Sequence, residues 1–289
     1  CLSNFSFLRG ASHPRELVTT AAQIGYGGLA LTDECSVAGV VRAHAAAKEL
    51  QIKFAVGSEL TCADGLKTVV LAEDRRAYAA LCGLISQARR AAPKGEYLAV
   101  KEDLVRYLHS SGILLWVPDT AASHEHVRVG RWLKENFDGR VWLAVELFNA
   151  GNDRQWLAEA TALGKELAMP LVAAGNVHMH CRERRMLQDT LTAIRRKTPL
   201  EKLGFELHSN AERCLRPIIE LVRRYPAELL SESLAILERL EFSLGELRYE
   251  YPHELVPPGE TPASYLRSLT ESGCRWRWPE GESHKVRTL

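Results

Sequence analysis

The chain has 289 residues, 46% apolar and 25% charged, enough to bury a large core as one α/β barrel or as two ordinary domains. Its formal net charge of +1 excludes the globally basic character that by itself announces nucleic-acid binding, so any such contact must come from local patches. No run approaches the roughly 18 apolar residues of a membrane span, and no signal peptide opens the sequence, which makes a cytoplasmic protein without a membrane partner the expectation.

From Gly10 to about Pro199, short apolar runs alternate with longer amphipathic stretches, the pattern of a parallel sheet with crossover helices. The predicted strands are residues 28–32, 53–57, 68–71, 113–117, 141–145 and 171–174. Ser36 is placed to cap a helix carrying Val37, Val40, Val41 and Leu50, and Asp74 to cap one carrying Tyr78, Leu81, Leu84 and Ile85. Asn152 starts a third, with Trp156, Ala160, Leu163 and Leu167. Several of the apolar runs finish in a polar residue: Asp33, Glu59, Asp119, Glu146, then Asn176 and His178. Any one of these marks no more than a strand-to-loop transition. Several together matter, because the carboxyl ends of strands are where α/β folds build their sites.

After Pro199 no strand is evident. Two helical stretches, residues 210–225 and 226–242, are joined at a proline that breaks the first. Residues 251–262 hold four prolines and read as an extended linker, and a short helix at 263–273 leads into Trp276, Trp278 and Pro279. Seven cysteines, at positions 1, 35, 62, 82, 181, 214 and 274, contain no CxxC pair. An odd number so widely spread argues for reduced thiols. A chain that begins at Cys1 without Met and ends at Thr288 and Leu289 without a capped helix reads as a fragment.

The opening stretch Leu2-Ser3-Asn4-Phe5-Ser6-Phe7-Leu8-Arg9-Gly10-Ala11-Ser12, with Leu31-Thr32-Asp33-Glu34-Cys35-Ser36 and Ala38-Gly39-Val40, resembles the start of bacterial C-family DNA polymerase alpha subunits, in particular their error-prone branch. Val56-Gly57-Ser58-Glu59, Val172-Ala173-Ala174-Gly175-Asn176-Val177-His178 and Leu187-Gln188-Asp189-Thr190-Leu191-Thr192-Ala193-Ile194-Arg195 extend the resemblance over nearly the whole chain. It implies an N-terminal polymerase-and-histidinol-phosphatase (PHP) domain. The fold expected is a distorted, TIM-like (β/α) barrel over residues 1–200 with its first strand truncated, a helical extension over 201–250, then a linker and the start of the polymerase region over 251–289.

In that family the PHP motifs supply His, Asp, Glu and Cys ligands to a metal cluster, and hard carboxylates with imidazoles suit cations held against a phosphodiester. Carried over residue by residue, the motifs are damaged. The first, His-x-His, puts one histidine before Cys1 and the other at Leu2. Asp-His becomes Asp33-Glu34, Glu59 is kept, the turn of the ligand Cys falls near Asp119, and Asp-x-His becomes Asn176-Val177-His178. The resemblance implies a vestigial cleft of Asp33, Glu34, Glu59, Asp119, Asn176 and His178 without a tightly bound metal. One weak divalent ion on Asp33, Glu59 and His178 is the alternative. Carboxylates so gathered need neighbouring cations or a shared proton.

Among other features, His124 and His126 splay onto different helix faces and read as solvent-exposed polar residues. Of the basic pairs, Arg195-Arg196-Lys197 is the candidate DNA contact, while Arg275-Trp276-Arg277-Trp278 suits packing on a neighbouring domain. No Walker loop, GxSxG elbow or GxGxxG fingerprint occurs. The resemblance implies a full-length DNA-directed DNA polymerase using magnesium in translesion synthesis, with DNA, its own other domains and mutagenesis accessory proteins as partners. Taken alone, this stretch would be inactive and bind no cofactor. The competing readings are an active PHP-type phosphoesterase or 3′–5′ proofreading exonuclease, and an interaction module sharing only the fold.

Overall fold

Six short runs rich in Val, Leu and Ile form a single sheet in the computed structural model, which describes residues 1–119, 124–248 and 255–288. The strands β1 (Gly28–Leu31), β2 (Lys53–Thr61), β3 (Lys67–Leu71), β4 (Ile113–Trp116), β5 (Val141–Glu146) and β6 (Leu171–Ala174) lie side by side in chain order. β1 and β2 are parallel, as are β4, β5 and β6. The expected all-parallel sheet needs one correction, since β3 runs antiparallel to both β2 and β4. Its link to β2, residues 62–66, is far too short for a parallel crossover, which takes a dozen or more residues. Gly65 turns that link at φ +88°.

The helices are α1 (Pro14–Gln23), α2 (Val40–Leu50), α3 (Arg75–Arg90), α4 (Lys101–Leu108), α5 (His124–Phe137), α6 (Asp153–Leu167), α7 (Arg185–Arg196), α8 (Ile218–Arg224) and α9 (Ala227–Arg239). Asp74 caps α3 as expected, its side chain accepting from Ala77 N at 2.7 Å. Ser36 does not cap α2. That helix starts three residues after Val37, with Gly39 at its N-cap, while Ser36 Oγ accepts from Ala38 N within the preceding loop. A side chain on Gly39 would come within 2.8 Å of Asp33 Oδ2, so glycine lets the loop pass the carboxylate. The helix expected at 210–225 is confined to α8, after Pro217. Residues ahead of it run beside 178–179 instead, where His178 N and Met179 N both donate to Arg213 O.

Alternate strand positions face opposite ways. Leu60, Val70, Leu114, Trp116, Leu143 and Val145 meet Leu81, Leu84, Leu104, Leu133 and Phe137 of α3, α4 and α5 on one face. Ala55, Leu71, Ile113, Trp142, Ala144 and Val172 meet Ile236 and Leu240, on α9 and just after it, on the other. Trp142 Nε1 donates to Glu232 Oε1 of α9 at 2.6 Å. A side chain on Gly28 would strike Leu237 at 2.7 Å, so glycine there lets α9 lie close on β1.

Cys1 and Leu2 join the two edges of the sheet: Thr32 N donates to Cys1 O and Leu2 N to Val177 O, both at 2.8 Å. All seven cysteines are unpaired, and burial pushes the Cys35 and Cys62 thiols up to about 11 and about 12. The chain divides into two compact units, Cys1–Glu246 and Leu247–Leu289. The second holds α10 (Pro262–Arg277), capped by Thr261 Oγ1 accepting from Ser264 N, and α11 (His284–Arg287). Part of the expected linker, residues 251–254, lies outside the described residues, as does Leu289.

Candidate functional site

The strand ends carry two neighbouring clusters. Asp33, just past β1, is 1% exposed. Its Oδ1 accepts from Ser3 N and Ser6 Oγ, both at 2.7 Å, and its Oδ2 from Ser3 Oγ at 2.8 Å. Ser6 Oγ also accepts from Glu34 N. The loop of residues 1–12 is thus folded around one carboxylate. It turns tightly: a side chain on Gly10 would fall 1.9 Å from Ser3 O, far inside van der Waals contact with backbone.

Glu59 was expected beyond its strand. β2 runs on to Thr61, so it sits within the strand, bridged in parallel to Glu34. The guanidinium of Arg9 spans both acids, with Nη1 2.6 Å from Glu34 Oε2 and Nη2 2.8 Å from Glu59 Oε1. Lys67 Nζ, at the start of β3, lies 2.9 Å from Glu59 Oε2, and Tyr97 OH donates to Glu34 Oε1 at 3.1 Å. Burial by itself would raise the Glu59 carboxyl, but Lys67 and Arg9 outweigh it and hold Glu59 below the ordinary glutamate value.

The second cluster stands at the ends of β5 and β6. Asn176, at φ 39°, donates from Nδ2 to Glu146 Oε2 at 3.1 Å and accepts at Oδ1 from His178 Nε2 at 2.9 Å. Asparagine tolerates this left-handed backbone better than most residues. His178 is 4% exposed and its Nδ1 has no protein partner. Burial, reinforced by Arg213 and Arg9, lowers it well below the ordinary histidine value and keeps the ring neutral. His208 packs edge-on to it at 5.4 Å and is lowered to about 4, again mainly by burial and then by Arg213. Arg213 lies over the Phe148 ring at 4.0 Å, and its Nη1, buried without a hydrogen bond, is 3.9 Å from Glu146 Oε2.

A cleft of about 510 Å³ opens here, its walls including Lys67, Asp119, Glu146, Asn176, His208 and Arg213. Of the residues singled out from the sequence, Asp33, Glu34 and Glu59 gather in the first cluster and Asn176 with His178 in the second. Asp119 is exposed on the cleft wall. Arg196 pairs with Glu206 at 2.6 Å, Lys197 ends α7 in a left-handed turn, and Arg195 is exposed beside them. His126 is half-buried against Trp116, rather than fully exposed as expected, and the side chain of His124 lies outside the described residues.

Sequence reasoning placed neither Arg9, Lys67, Arg213 nor His208 in the site, although it required cations of some kind. Arg9 lies within the matched opening motif, but nothing in the motif says where its guanidinium points. The residues present do not fit the metal cluster of the family that the sequence resembles. Leu2 is apolar and 1% exposed, both Glu59 oxygens are held by cations, and both Asp33 oxygens by hydrogen-bond donors. Among the described residues, no group of three or more His, Cys, Asp or Glu side chains is arranged to hold a metal ion.

A largely parallel α/β sheet with polar and charged side chains at the strand ends, matched over residues 1–152 by the PHP domain model, defines the class, and the chain belongs to the PHP family. It is 56% identical over 286 residues to the error-prone DNA polymerase of Methylococcus capsulatus, a match covering 99% of this chain and 27% of that one. It is 52% identical over 291 residues to the error-prone DNA polymerase of Dechloromonas aromatica, covering 99% and 28%. The chain therefore spans little more than a quarter of the length of these relatives. Among solved structures it is similar to an amidohydrolase from Chromobacterium violaceum with bound sulfate and no metal, at 16% identity and a TM-score of 0.46 over 62% of this chain and 86% of that one.

Proposed function

We propose that this chain is the N-terminal PHP domain of an error-prone DNA polymerase that acts in damage-induced mutagenesis and translesion synthesis. The observation that carries this reading is identity of 50–56% to proteins of that name along nearly the whole chain. Within that polymerase the domain is structural: it supports the nucleotidyl-transfer region and does no phosphodiester hydrolysis of its own. The paired carboxylates of the first cluster support this part, because a hydrolytic site needs them free for cations that hold the attacking and leaving oxygens.

The whole protein takes DNA and deoxynucleotides as substrates, uses magnesium at carboxylates outside this chain, works in the cytoplasm and meets mutagenesis accessory proteins. No helix among the described residues is long and apolar enough to cross a membrane. Domain limits of 1–200, 201–250 and 251–289 belong to the same reading, as does contact of Arg195, Arg196 and Lys197 with DNA phosphates, where Arg195 is the one of the three with neither an ion pair nor a capping role.

Primer extension by the full-length protein tests the reading. Expected is magnesium-dependent extension of a mismatched primer terminus without prior excision. Efficient removal of the mismatched nucleotide would defeat it in favour of an active PHP exonuclease, and failure to extend any primer would defeat the polymerase assignment itself.

A further inference from the structure

The two cations of the first cluster hold positions that matter more than ordinary ion pairs. Arg9 rises from the loop of residues 1–12, Glu34 follows β1, Glu59 is in β2 and Lys67 begins β3. Four separate stretches of chain therefore meet at one point. Glu59 is 3% exposed, so its charge must be compensated by something that is itself held in place.

A guanidinium is a planar fork whose N–H groups can each serve a different carboxylate. A divalent ion bridging the same two acids would need their oxygens at about 2.0–2.6 Å from its centre, in the space that Arg9 fills. Arg9 and a bridging cation are mutually exclusive occupants.

We propose that Arg9 and Lys67 are built-in replacements for a bound divalent cation. They convert a metal-assembled strand end into an ion-pair staple that holds the loop of residues 1–12 onto β1, β2 and β3. The proposal rests on the reading of a PHP domain without hydrolytic metals, and it assigns to this chain what took over the metals' charge. Two consequences follow that simple packing would not produce: the wild-type fold is indifferent to metal, and the acids become a cation site once the staple is withdrawn.

The test uses the 289-residue chain and its variants Arg9→Met, Arg9→Lys, Lys67→Met and the double variant Arg9→Met, Lys67→Met. Melting temperature is read with chelator and with millimolar manganese, and manganese binding is counted by electron paramagnetic resonance. For wild type, neither additive should shift the melting temperature and no stoichiometric manganese should bind. Stranding a buried carboxylate should lower the melting temperature of Arg9→Met by about 10 °C, and manganese should recover part of that loss. The double variant should bind one ion. Adding Glu59→Gln to the double variant should abolish that binding and raise the melting temperature in chelator, because the stranded charge is gone.

Should Arg9→Met fail to fold, Arg9→Lys and Lys67→Met carry the test, each expected to melt below wild type. Stoichiometric manganese binding by wild type would overturn the proposal. So would an Arg9 variant that melts like wild type, or a destabilised double variant that neither binds manganese nor responds to Glu59→Gln. None of these outcomes bears on primer extension, so the polymerase reading stands or falls separately.

Discussion

The two clusters at the strand ends differ in how their polar atoms are satisfied. Around Asp33, Glu34 and Glu59, both oxygens of each carboxylate meet a serine, tyrosine, arginine or lysine donor. Around Glu146, Asn176 and His178, one chain of hydrogen bonds leaves His178 Nδ1 and Arg213 Nη1 without hydrogen-bond partners. The first cluster is a structural part of the fold, since the loop of residues 1–12 folds onto it. The second keeps unmet groups beside an open cleft. The strand ends are thus closed on one side and open on the other, and the closed side is where mutation should cost most.

That contrast is broken first at Asp33. Asp33→Ala leaves three buried donors without an acceptor and should cost about 4 kcal/mol in urea denaturation. A loss under about 1 kcal/mol would show that the serine loop is not held by this carboxylate. Gly10→Ala, which drives a methyl into the Ser3 carbonyl, should cost about 3 kcal/mol and expose the loop of residues 1–12 to hydrogen exchange. An unchanged exchange pattern would mean that the loop can open without consequence.

Acid separates the clusters by sign and range. His178 and His208 have folded values below 6.5, so under that pH the unfolded chain takes up protons that the folded chain refuses, and stability falls as pH drops from 6.5 toward about 4, where His208 itself protonates. Glu59 has a folded value below 4.5. Its contribution is intact above that pH and is lost as pH falls further, through the folded value. The open side therefore loosens first. His208→Gln should lessen the loss between pH 6.5 and about 4, leaving the share of His178 and the later loss, and a variant with an unaltered pH profile would remove His208 from the account.

Asn176→Ala should have the smallest effect, about 2 kcal/mol, from two lost hydrogen bonds and a left-handed backbone that alanine resists. A cost equal to that of Asp33→Ala would erase the distinction between the clusters.

Much of the fold was legible locally. The six apolar runs are strands because Val, Ile and Leu recur in short bursts between turn residues, and Asp74 caps α3 because a side-chain oxygen ahead of an amphipathic stretch meets free amides. The antiparallel β3 was legible too, in the Asp64-Gly65 turn between β2 and β3, a hairpin signal, but the alternation of the whole region favoured a parallel order. The helix start at α2 was misplaced because Ser36 turns within its own loop and donates its N–H to Ser58 Oγ, 22 residues away in the sequence.

The sequence by itself determined the strands, the family and the residue types at Leu2, Glu34 and Asn176, because each of these is a matter of residue type and short-range order. Only the tertiary structure decided which cations meet the carboxylates. Arg9 and Lys67 are far apart in the chain, and a long cationic side chain can snorkel to solvent or fold inward with equal local propensity. Their direction was settled by the buried charge of Glu59, which exists as a demand only after β2 has been packed between β1 and β3.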